Sequence, residues 1–145
     1  MVSAGGIIQA GDAFGDWISF TPSFTNFTLG NGTRGGLYRR VGEFTIEIVA
    51  QFTFGSSSSI SAGLGLTLPA SLSGDGATTT QIVPAMAWDN SGAAGYSGHA
   101  KLQSGGGTAL DRFFGPNTTQ WNGTVPFTWA TSDFLVVQGM VKVTT

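Results

Sequence analysis

The chain contains no cysteine, which excludes a disulfide framework and thiolate metal sites and leaves no mark of redox compartment. Charge is scarce as well: 10% of its residues are charged, against about 25% in an average soluble domain. Six Lys and Arg against eight Asp and Glu make no basic field for a phosphate backbone or an anionic membrane to feel. Nucleic acid and membrane are therefore not expected as partners. No apolar run approaches the roughly 20 residues of a membrane-spanning helix. Residues 1–10 lack a basic n-region and offer only Ile7-Ile8 as an apolar core, unlike a secretory signal peptide. Amphipathic helix patterns are also missing, since no stretch keeps apolar residues at i, i+3, i+4 and i+7 behind a cap.

What is present is glycine, 23 of 145 residues, with abundant Ser and Thr and alternating apolar positions. A chain of this length forms one domain and buries roughly two thirds of its unfolded surface. Period-two alternation is clearest over Glu43 to Phe54, with Phe44, Ile46, Ile48, Ala50, Phe52 and Phe54 on one face and Glu43, Thr45, Glu47, Gln51 and Thr53 on the other. Further strands are expected at Trp17–Phe20, Phe24–Leu29, Leu37–Val41, Ile60–Leu68 (ended by Pro69), Gln81–Trp88, Tyr96–Leu102, Leu110–Phe114 and Phe134–Val143, with turn residues between them. That spacing predicts an all-β, antiparallel, jelly-roll-like sandwich over residues 17–145. Residues 1–16, glycine-rich and aperiodic, read as an arm or tether. In the last strand Leu135, Val137, Val141 and Val143 line one face and Phe134, Val136 and Met140 the other. Two apolar faces predict a strand buried on both sides, so Phe134, Val136 and Met140 are candidate oligomer-interface residues.

Signals for catalysis dissolve on inspection. Gly30-Asn31-Gly32-Thr33-Arg34-Gly35 matches the dinucleotide pattern G-x-G-x-x-G, but a strand follows it where a helix is required, so it is a hairpin loop. Glycosidase-type carboxylates stand about 5 to 9.5 Å apart, whereas Glu43 and Glu47 on one strand are roughly 13 Å apart. A cross-strand pair such as Glu47 with Asp89 is explained more simply by a solvated face. His99 is the single histidine, there is no G-x-S-x-G elbow, and one imidazole makes no metal site. No catalytic residue, cofactor or metal is assigned, although loop calcium at Asp75, or at Asp89 with Asn90, fits oxygen-only ligation. The sequons at Asn26, Asn31, Asn117 and Asn122 are expected by chance in a chain this rich in Asn, Gly and Thr.

The four tryptophans divide by context. Trp17 and Trp129 adjoin strand-like runs and read as core or rim. Trp121 lies in the polar stretch Pro116 to Gly123, where its ring and neighbouring amides could meet a sugar. With Asn117, Asn122, Trp88 and Tyr96 it forms the candidate glycan contact, weighed against packing.

Several segments resemble a module recurrent in tail-fibre and minor tail proteins of phages of actinobacteria: Trp17-Ile18-Ser19-Phe20-Thr21-Pro22, Phe27 to Thr33, Tyr38-Arg39-Arg40-Val41-Gly42, Phe52-Thr53-Phe54-Gly55-Ser56-Ser57, Leu68-Pro69, and Pro126 to Asp133. They span about Trp17 to Val143 and consist of turns and strand edges without catalytic content. The resemblance implies a sandwich, often trimeric, at the virion surface, structural or host-recognising. The chain departs from a tail fibre in having its own Met1 and no shaft before the module, which suits a decoration protein. The expectation is therefore a non-enzymatic virion structural protein on the particle exterior. Its partners would be copies of itself, most simply as a trimer, and capsid or tail proteins. The alternative is a receptor-binding tip that contacts a host cell-surface glycan.

Overall fold

The computed structural model describes residues 2–3, 6–7, 15–75, 79–102, 105–116 and 119–144. Alternating side chains and frequent turn residues produce strands throughout: β1 (Val2–Ser3), β2 (Gly6–Ile7), β3 (Ile18–Phe20), β4 (Phe24–Thr28), β5 (Thr33–Gly42), β6 (Thr45–Thr53), β7 (Ser59–Thr67), β8 (Gln81–Asp89), β9 (Ala94–Leu102), β10 (Ala109–Leu110), β11 (Arg112–Phe114) and β12 (Phe134–Lys142). A seven-stranded antiparallel sheet, in the order β11-β9-β8-β12-β6-β5-β3, faces a three-stranded sheet in the order β10-β7-β4. The expected sandwich is thus present, with unequal layers. Of the expected arm, β1 and β2 pair with each other, and Gly15 N–H donates to Arg40 O at 2.8 Å beside β5; the remainder of residues 1–14 lies outside the described residues.

The core lies between the layers. From β6 it takes Ile46, Ile48, Ala50 and Phe52, from β12 Leu135, Val137 and Val141, from β8 Val83, Ala85 and Ala87, and from the smaller sheet Phe24, Leu64 and Leu66. Each fully buried Leu or Phe contributes roughly 1.5–3 kcal/mol over an exposed one. At one end the aromatics run together. Phe27 stacks on Phe52 at 4.2 Å between centroids, and Phe54 and Phe127 lie 5.9 and 4.7 Å from Trp129. Phe44 departs from its expected place on the inner face. Gly42 to Thr45 forms the β5–β6 hairpin, so Phe44 sits in the turn and is 51% exposed.

Trp121 closes one seam of the sandwich. Its backbone N–H donates to Phe113 O (2.7 Å) of the large sheet, and its backbone carbonyl accepts from Leu64 N–H (2.9 Å) of the small one. The expected strand Leu110–Phe114 is split at Asp111, with β10 in the small sheet and β11 in the large. At the aromatic end, buried Asp133 accepts from Asn90 N–H (2.8 Å) and Ala130 N–H (2.6 Å), joining two turns. The Gly30-Asn31-Gly32 segment is a tight turn as expected, with Gly32 N–H returning to Leu29 O at 2.8 Å and Gly30 at φ 55°, a conformation that favours glycine. It is not a hairpin loop, because it carries the chain from β4 in the small sheet to β5 in the large one.

Candidate functional site

Cross-strand register assembles the outer face of the seven-stranded sheet. Phe134 lies between Thr53 and Trp88, Val136 between Gln51 and Met86, and Met140 opposite Glu47. Trp88 and Phe134 are stacked, centroids 6.3 Å apart and planes at 20°. Leu37, Ile82 and Met86 add exposed apolar area, and Met140 is 58% exposed. The expectation that β12 is buried on both sides is therefore half met within this chain. Leu135, Val137 and Val141 are fully buried, whereas Phe134 and Val136 are half-buried and Met140 is open, because the second layer covers one face only.

Among the described residues, two of the shallow depressions on this face adjoin the apolar row. One, about 390 Å³, lies over β5 and β6 and is lined by Leu37, Val49 and Gln51; it exists because Gly35 puts no side chain there. The other, about 290 Å³, is bordered by Pro84, Met86, Val136 and Gln138. The sequence reading missed Leu37, Ile82 and Met86, although β8 carries the signal. Its large residues Ile82, Pro84, Met86 and Trp88 point outward while Val83, Ala85 and Ala87 point inward. Some inward positions are small where a large side chain fills the space opposite: Gly98 of β9 pairs with Ala85 of β8, and a Cβ on Gly98 would lie 2.5 Å from the Trp121 ring.

Charges on this face are mostly cationic. Register puts Arg39, Lys101, Arg112 and Lys142 outward, with Glu47 the one acid at an outward strand position. Arg39 is neutralised by Glu47, Nη2 to Oε2 at 2.6 Å, and lies 4.6 Å over the Trp17 ring. A partly exposed pair of this kind is worth up to about 1 kcal/mol.

The candidate glycan residues converge only in part. Trp121 is 1% exposed, so its ring faces pack in the core and form no open platform for a sugar, correcting its place in that set. Its edge and Tyr96 help line a cleft of about 420 Å³ with Pro116, Val125 and Pro126. Trp88 is on the other side of the sheet, since it pairs with Gly95 while Tyr96 pairs with Ala87. The Asn122 amide is committed to its own turn, accepting from Thr124 N–H (2.9 Å) and donating to Gln120 O (3.3 Å). Asn117 lies outside the described residues.

Other titratable groups are engaged locally. The Asp89 carboxyl is held below the usual carboxylate range by Gly92 N–H and then the Ser91 hydroxyl, partly offset by desolvation. His99 stacks on Phe114 at 5.4 Å. Among the described residues no three His, Cys, Asp or Glu are grouped to hold a metal ion, and no helix is long and apolar enough to cross a membrane.

Three of the six segments compared above with a phage module, Phe27 to Thr33, Phe52 to Ser57 and Pro126 to Asp133, meet at one corner. Asn31 accepts from Ser57 N–H (2.9 Å) and donates to Ser56 Oγ (2.9 Å), while Phe54 N–H donates to Asp133 O (2.7 Å) and Ser132 N–H to Phe54 O (2.8 Å). Their role visible here is to brace the Phe54-Gly55 corner. No protein-family model matches the chain, and no curated protein or solved structure matches it either.

Proposed function

We propose that this chain is a non-enzymatic structural protein of a bacteriophage virion exterior, a capsid decoration or minor tail protein. In this reading it is a jelly-roll-like sandwich that assembles as a trimer through the outer face of β6, β12 and β8 and seats on capsid or tail proteins. The observation that carries the reading is the uncovered row Phe134–Trp88 and Val136–Met86, flanked by Leu37, Ile82 and Met140. Contiguous apolar patches of this kind mark contact surfaces, because leaving them in water forgoes roughly 25 cal/mol per Å². The scarcity of charge and the resemblance of the bracing corner to a phage module support the setting.

Quantitative mass spectrometry of purified particles, with heads and tails separated, tests the proposal. The expected result is stoichiometric recovery, in many copies with heads for a decoration protein or in a few with tails for a minor tail protein. Absence of the chain from both fractions of particles made in cells that express it would overturn the reading.

A further inference from the structure

We infer that Lys101, Arg112, Phe114 and Gln120, at the β11 edge of the large sheet, form a binding site for an acidic saccharide whose ring carries a carboxylate. The inference is independent of the assembly reading. Lys101 and Arg112 are direct cross-strand partners. Like charges placed opposite each other destabilise a sheet, yet neither is ion-paired among the described residues, where the salt bridge is Arg39–Glu47. Two cations held side by side with no salt-bridged acid among the described residues suit an external anion; the adjacent Asp111 meets Lys101 through its backbone N–H, which donates to Lys101 O at 2.8 Å. The same four residues line a depression of about 200 Å³, below the size that holds a drug-sized molecule and fitting for one sugar unit.

Each side chain supplies a different part of the recognition. The Arg112 guanidinium offers a planar fork that pairs with both oxygens of a carboxylate, and the Lys101 ammonium adds a point charge beside it. Phe114, half-buried and stacked on His99 at 5.4 Å, is a fixed apolar wall for the face of a pyranose. Gln120 is positioned by its backbone bridge to Phe114, and its amide can both donate to and accept from sugar hydroxyls. The wall and the amide distinguish this site from a bare cationic patch, which would take any polyanion.

The test is a titration of the whole chain with tetragalacturonate at low ionic strength, followed by amide NMR shifts and calorimetry, with tetraglutamate as a probe of equal charge. Binding is expected to shift the Lys101, Arg112 and Phe114 signals and to weaken with salt. Lys101→Gln with Arg112→Gln should lower affinity about tenfold or more. Phe114→Leu should weaken the saccharide and leave tetraglutamate unchanged, and Arg34→Gln, a cation elsewhere on the sheet, should change neither. Lys101→Glu should remove binding while raising the melting temperature, because it converts a repulsive pair into an attractive one; that rise shows the fold is intact. No binding, equal affinity for tetraglutamate, or an equal loss in Arg34→Gln would overturn the inference.

Discussion

The two faces of β12 differ in what covers them while being nearly alike in composition. Inward, Leu135, Val137 and Val141 meet the second layer and are fully buried; outward, Phe134, Val136 and Met140 form an apolar row with no layer above them. Neighbouring β8 exaggerates the contrast, with its smaller residues inside and its larger ones outside. Packing explains both. The Trp121 ring fills the space at Gly98 of β9, and the inward residues of β8 are the small Val83, Ala85 and Ala87, while Tyr96 and Leu102 of β9 fill the rest of that side. Side-chain size is thus a poor guide to burial in this sheet.

The contrast can be broken most forcefully at Trp121. Trp121→Ala should lower the unfolding free energy by about 4 kcal/mol in a urea titration, the cost of emptying a large core site. A loss below about 1 kcal/mol would return Trp121 to the surface. Adjacent positions on β12 sharpen the comparison next. Leu135→Ala should cost about 3 kcal/mol, whereas Val136→Ala measured on the monomer should cost less than about 1 kcal/mol; equal losses would mean that both faces serve the fold. At the aromatic end, Asp133→Ala strands the Asn90 and Ala130 amides and should cost about 2 kcal/mol.

The smallest effect is expected at Asp89. Its folded pKa lies below the unfolded one, so its contribution is complete above the unfolded pKa and disappears as pH falls through the folded value. Unfolding curves recorded into the acid range should show a slight loss of stability below the ordinary carboxylate pKa that is missing in Asp89→Asn. Loss on raising the pH instead would reverse the assignment.

Much of the fold was legible because strand alternation was strong and local. β6 follows its expected faces from Thr45 to Thr53, the Gly30 to Gly32 turn was recognised by its context, and β12 was found with both apolar rows in the right phase. Phe44 misled because alternation continues formally into a hairpin turn, where it no longer points at the core. Trp121 misled for a different reason. Residues 115–133 have turn-like composition and no period, and the place of residues 119–133 is set by single long-range bridges such as Phe113–Trp121–Leu64, which leave no local pattern. The outer apolar row was half legible, since one strand announces it but only register shows that β8 and β5 extend it. Lys101 and Arg112 were invisible as a pair because they are eleven residues and two strand ends apart in the chain and opposite each other only in the ladder.

The most direct test of the account is the mass of the chain in solution, by sedimentation equilibrium at micromolar concentration, for the native sequence and for Val136→Lys. The account predicts that the native chain sediments as a multiple of its 14.9 kDa mass, a trimer, and that Val136→Lys returns it to a folded monomer. A native chain that stays monomeric, or an assembly that Val136→Lys leaves intact, would contradict the claim that the outer face of the large sheet is where copies of this protein meet.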